Sequence, residues 1–206
     1  MTWMSKIAWS VMLGLAFAPS ALAAQGDDPN WPCIQRKVPQ LSISQIWTGP
    51  ALPPEAGDWT KDAALSDLVD ALAARRLTLP EAQQRIRDFR AGLPEGKAQQ
   101  HIGMLVQGLF DKMNGERAHV ISGIGRYAHR QRDMAASLRR EASALDQLRA
   151  KGDAGNEVAV RTERLIFQTR VFQERAQSLT FVCEVPTLIE QRLYALVKML
   201  AEPPAR

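Results

Sequence analysis

The residues of this chain best suited to metal or redox chemistry are three histidines, His101, His119 and His129, and two cysteines, Cys33 and Cys183. Glu116-Arg117-Ala118-His119 has the E-x-x-H spacing that stacks a carboxylate and an imidazole on one helical face, as a di-iron carboxylate site requires. Such a centre also needs a second E-x-x-H and two more inward glutamates. The sequence holds no second copy, so Glu116 and His119 read as a surface ion pair. His101 and Met104, at i and i+3, could offer nitrogen and thioether ligands to a soft copper ion if Met113 or Met134 completed the set across helices. Methionine filling a core is the simpler reading. His101, Met104, Glu116 and His119 therefore stand as metal candidates, with no metal site or cofactor expected.

The cysteines point elsewhere. Lys6, the apolar run from Ile7 to Phe17 and Ala21-Leu22-Ala23 form the charged, apolar and small-residue cleavage regions of a secretory leader, expected over residues 1–23. The apolar run is shorter than the roughly 20 residues a transmembrane helix needs, and no cysteine follows it directly to take a lipid. The expectation is a periplasmic, unlipidated chain without a transmembrane segment. An even pair of cysteines in an oxidising compartment, with no C-x-x-C and no neighbouring histidine, predicts a Cys33–Cys183 disulfide.

Composition narrows the function classes. Lys and Arg total 26 against 22 Asp and Glu. The excess is mild, and Arg126, Arg130, Arg132, Arg139 and Arg140 are interleaved with Asp133 and Glu141, which reads as a solvated helix surface rather than a nucleic-acid site. The sequence lacks C-x-x-C-H, H-E-x-x-H, G-x-S-x-G and Walker signatures. Gly123-Ile124-Gly125 interrupts a helical pattern instead of linking a strand to a helix, so it permits close contact or a bend, not phosphate binding. No catalytic residue is singled out.

These residues must be carried by helices. Residues 24–59 read as an irregular arm, because Pro29, Pro32, Pro39, Pro50, Pro53 and Pro54 interrupt it while Trp31, Trp47 and Trp59 offer apolar anchors. Covering a helical core suits those tryptophans better than a ligand platform. Within the arm, residues 41–47 form either a short helix, with Ser42 and Gln45 at capping-box spacing, or a short strand; the helix is favoured. Residues 60–206 read as the helical domain. Thr60 or Asp62 caps a segment apolar at Leu65, Leu68, Val69 and Leu72 that ends near Arg75-Arg76. Thr78 caps a second, which carries Pro80 in its first turn and stops at Gly92-Leu93-Pro94.

A third stripe, Ile102 to Met113, meets Asn114-Gly115, ordinarily a turn signal. Yet Val106, Met113, Val120 and Tyr127 keep phase across it, so the joint stays open between a turn and one long helix. Beyond it, Ile121, Ile124, Ala128, Gln131, Ala135, Leu138, Ala142 and Leu145 form a coiled-coil seam with Gln131 its one polar member. The segment 151–156 turns the chain, with Asn156 positioned to cap the return. Val158, Leu165, Phe172, Leu179, Pro186, Leu193 and Leu200 then recur every seventh residue, a second seam. Pro186 predicts a break or kink around Cys183-Glu184-Val185, and Pro203-Pro204 a stop. The fold class is all-α: an elongated, coiled-coil-like antiparallel hairpin with shorter N-terminal helices and the Pro/Trp-rich arm.

Two resemblances bear on function. Arg76-Leu77-Thr78-Leu79-Pro80-Glu81-Ala82-Gln83 is similar to the L-T-x-x-Q element of Spy- and CpxP-type periplasmic chaperones, with Glu81 where that element ends in Gln. The segments Trp31-Pro32-Cys33-Ile34-Gln35-Arg36-Lys37-Val38-Pro39 and Cys183-Glu184-Val185-Pro186-Thr187-Leu188-Ile189-Glu190-Gln191-Arg192 resemble exported helical proteins of proteobacteria with no assigned activity, which implies a compartment and a fold. The function expected is a non-enzymatic periplasmic protein that works through protein–protein interaction or self-association. An ATP-independent chaperone and a metal-binding or redox protein are the alternatives, and a small-molecule ligand is left open.

Overall fold

The computed structural model describes Asp28, residues 30–152 and residues 155–202. The expected leader, Pro29, Asp153-Ala154 of the turn and the Pro203-Pro204 stop lie outside the described residues. Five α-helices follow in order: α1 (Ile43–Ile46), α2 (Ala63–Ala73), α3 (Leu79–Ala91), α4 (Ala98–Ala150) and α5 (Asn156–Ala201), with a 3-10 helix over Pro54–Lys61. No strand occurs among the described residues. None of their helices is long and apolar enough to cross a membrane.

Local chemistry starts each short helix. Gln45 Oε1 accepts the Ser42 amide at 2.9 Å, which resolves residues 41–47 in favour of the helix. Asp62, not Thr60, caps α2 by accepting the Leu65 amide at 3.1 Å. Thr78 caps α3, its hydroxyl accepting the Glu81 amide at 3.4 Å while the Glu81 carboxylate accepts the Thr78 amide at 2.8 Å. The Glu81 carboxyl is held below the usual carboxylate range, first by its hydrogen bond from the Thr78 hydroxyl. α2 stops at Ala73, short of Arg75-Arg76, and Arg192 reaches across from α5 to donate to the freed Leu72 carbonyl through Nε at 3.1 Å and Nη2 at 2.8 Å.

α4 and α5 hold 53 and 46 residues, or about 80 Å and 70 Å at ~1.5 Å per residue. They form the antiparallel hairpin. α4 passes through Asn114-Gly115 without a turn. Gly115 costs only about 1 kcal/mol there, less than the continuous seam returns. Gly152, at φ +80, takes the left-handed conformation that ends α4.

Two expectations about α5 are corrected. Gly155, in extended backbone, is its N-cap, and Asn156 is already the first helical residue, so Asn156 caps nothing. Of the break or kink expected around Cys183-Glu184-Val185, the break does not occur, for Pro186 lies inside a continuous helix. Proline deprives the Val182 carbonyl of its helical donor, and Val182 itself is exposed. Pro186 itself is buried, and Cys183 and Ile189 pin the helix on either side.

The core sits at one end of the hairpin. Leu65, Val69 and Leu72 of α2, Ala82 and Ile86 of α3, Leu105, Val106, Leu109 and Met113 of α4, and Ile189, Leu193, Leu196, Val197 and Leu200 of α5 are buried together. The helices approach closely because α4 carries glycine at the crossings: a Cβ on Gly108 would stand 2.7 Å from Val69 Cγ2 and 3.0 Å from Trp59 Cδ2.

Candidate functional site: a strapped base and a bare hairpin

The arm is not wholly irregular, since it contains α1 and runs into the 3-10 helix, and it is strapped along α4. The Cys33–Cys183 disulfide, 2.04 Å between sulfurs and spanning a sequence separation of 150, joins it to α5 beside buried Ile124. Trp31 and Leu179 pack around this second, smaller cluster. The three arm tryptophans bury their rings partly and satisfy their N–H groups. Trp31 Nε1 donates to the Gln35 carbonyl at 2.6 Å, Trp47 Nε1 to the Pro50 carbonyl at 2.6 Å and Trp59 Nε1 to Asp111 Oδ2 at 3.0 Å. They serve as anchors.

Polar hooks along α4 complete the strap. Asn114 accepts the Leu41 amide at 3.1 Å and donates to the Leu41 carbonyl at 3.4 Å, as a neighbouring backbone would. Arg117, 5% exposed, donates Nη1 to the Val38 carbonyl at 2.7 Å and lies 3.3 Å from the Glu190 carboxylate of α5. A buried guanidinium is tolerable only with such partners. Arg132 donates to Asn30 Oδ1 at 2.6 Å. The Asp28 carboxyl is held below its ordinary range, chiefly by its hydrogen bond from Lys37. Beneath the arm a groove of about 510 Å3 runs past Gln45, Arg117, Thr187 and Tyr194.

The histidine chemistry is not assembled in this way. His101 Nδ1 lies 3.0 Å from the Lys97 carbonyl, Met104 packs against the core, and Met113 is inside it. Met134 lies instead 3.9 Å from an Arg175 nitrogen. Glu116 and His119 are both exposed, and the ion pair expected between them is absent among the described residues; His129 pairs with Asp133 at 3.4 Å instead. The pairs His101/Met104 and Glu116/His119 are separated by about 22 Å along the one helix α4. No three His, Cys, Asp or Glu residues converge on a common point among the described residues. Gly125 faces the arm, a Cβ there lying 3.9 Å from the Asn30 carbonyl.

Past the disulfide the hairpin changes character. Between residues 129 and 182 only Leu145 is buried among the described residues. The expected seam is present but thin: Gln131, Ala135, Leu138 and Ala142 face Val158, Leu165 and Phe172 half-buried, and Gln131 Oε1 is enclosed without a hydrogen-bond partner. Register is kept by polar contacts, including Tyr127 Oη to the Arg175 carbonyl at 3.2 Å and Arg149 to Thr162 at 2.9 Å.

On the outer face of α5 stand large apolar side chains that the seam reading left out: Ile166 at 65%, Phe167 at 67% and Phe181 at 73% exposure, with Val160, Val182 and Leu188 beside them. A periodicity signal for them exists, since Val160, Phe167, Phe181 and Leu188 fall on one seven-residue repeat two places after the seam positions. Comparison with known proteins gives no matching family model, no matching curated protein and no matching solved structure.

Proposed function

We propose that this chain is a non-enzymatic protein of the periplasm, exported by its leader, unlipidated, and working through protein–protein contact made by the distal hairpin. The observation that carries the reading is the contrast between a disulfide-strapped base and about 50 residues of paired helix that, among the described residues, bury one leucine and expose Ile166, Phe167 and Phe181. Exposed apolar clusters of this kind mark interaction surfaces. The base supplies a rigid foot, and the hairpin carries the contact outward. The disulfide and the lack of a membrane-spanning helix among the described residues are compatible with an oxidising compartment.

A photo-crosslinking side chain placed at Phe167 in the native envelope tests this. Covalent attachment to protein is expected, and unmodified chain alone after irradiation would end the reading. An ATP-independent chaperone is the second reading, supported by the placement of Phe167 among Arg164, Arg170 and Arg175. It expects suppression of a client's aggregation at stoichiometric amounts and loss of that suppression in Phe167→Asp. The metal-binding alternative has its candidates on two separated pairs and expects copper or zinc in natively purified protein.

A further inference from the structure

We infer that the occupant of the exposed face of α5 is a second copy of the same face, packed antiparallel about a two-fold axis through Glu174. This rests on the protein-contact reading above and names the partner. The seam of α5 toward α4 repeats at Leu165, Phe172 and Leu179; Val160, Phe167, Glu174, Phe181 and Leu188 repeat in the same period on the opposite side of the helix. The stripe is symmetric about its centre. Phe167 and Phe181 lie seven residues either side of Glu174, Ile166 and Val182 eight, and Val160 and Leu188 fourteen. An isologous contact requires such a self-complementary patch, because every residue must meet its mirror position in the partner. An antiparallel pair centred at Glu174 sets Phe167 level with Phe181 of the partner, twice, at about 10 Å on each side of the axis. A heterologous partner imposes no such symmetry.

Charge follows the same mirror. Arg164 and Glu184 stand ten residues either side of Glu174, and neither has an ion-pair partner among the described residues. In the antiparallel pair they come level along the helix axis at both ends, on opposite flanks of the contact. The two Glu174 carboxylates that meet at the axis each arrive with a counter-ion, Arg170 Nε being 3.1 Å from Glu174 Oε1. The area is sufficient. Aromatic side chains carry roughly 150–250 Å2 each, so at the observed exposures the six apolar residues present on the order of 600 Å2 per copy. Two copies bury about 1,200 Å2, where stable interfaces begin. Leu188, at the end of the stripe nearest the base, remains exposed.

The oxidised, exported protein is the material for the test, with sedimentation equilibrium and cysteine trapping as readouts. A dimer is expected, and Phe167→Asp, at an exposed position, raises its dissociation constant about thirtyfold or more. Glu174→Cys sits on the axis and should close a disulfide to its own copy under mild oxidation. Arg164→Cys should not, because its two copies stand about 30 Å apart. A monomer up to the millimolar range, or Arg164→Cys trapping as readily as Glu174→Cys, overturns the two-fold pairing. If crosslinking at Phe167 captures only a different protein, the pairing fails and the protein-contact reading survives; capture of nothing ends both.

Discussion

α4 and α5 lie side by side in two surroundings. Below the disulfide they share a core with α2, α3 and the arm, and Leu105, Leu109, Leu193 and Leu196 are fully enclosed. Farther out, past the arm's last contacts, they have only each other, and the same seven-residue repeat leaves Leu165 and Phe172 half-covered. A heptad seam therefore sets direction and register, while burial depends on what lies across the remaining faces. Two helices alone cannot cover an aromatic residue on the far side of either one.

The comparison breaks most visibly at the strap. Replacing Cys33 and Cys183 together by Ser removes a cross-link at a sequence separation of 150, worth roughly 4–5 kcal/mol in the chain-entropy limit. Thermal unfolding of the base should shift strongly downward, and arm amides should exchange faster. An unchanged melting temperature would mean the hooks on α4 hold the arm unaided.

Core truncation sharpens the contrast. Leu109→Ala, at a fully buried position, should cost about 2–5 kcal/mol, while Leu165→Ala in the distal seam should cost about 1 kcal/mol. Chemical denaturation of the two variants measures the difference, and equal losses would erase the division between regions. Asn114→Ala is expected to cost about 1 kcal/mol and to release the Leu41 amide to exchange, leaving the distal hairpin unaltered. The smallest effect concerns pH. The Asp28 carboxyl is depressed in the folded protein, so its contribution to holding the arm is present above the ordinary carboxylate range and is lost as pH falls through the lowered folded value. An amide titration around Lys37 should show loosening only on the acid side, and Asp28→Asn should remove it.

Much of this organisation was legible in the residues. Seven-spaced Leu165, Phe172 and Leu179 announced the hairpin, Thr78 with Glu81 announced the start of α3, and an even pair of cysteines, read beside an expected leader, announced the strap. Asn114-Gly115 misdirects because Asn114 does the work of a turn residue for another segment: its amide completes the hydrogen bonds of Leu41, more than 70 positions earlier. Pro186 misdirects because local propensity counts one lost hydrogen bond and cannot count Cys183 and Ile189 holding the helix on both sides. Glu116 and His119 share the spacing of an ion pair, but at an exposed surface nothing compels them to close it. The outer stripe of α5 was encoded as clearly as the seam, yet its polar centre at Glu174 hides it from a search for continuous apolar repeats.

Amide hydrogen exchange across a dilution series tests the central claim most directly, since it reads the base and the distal hairpin in one molecule. Residues 100–125 and 185–200 should stay protected at every concentration, while 160–182 should be protected when concentrated and exchange freely when dilute. Equal, concentration-independent protection of 160–182 and of the base would contradict the account.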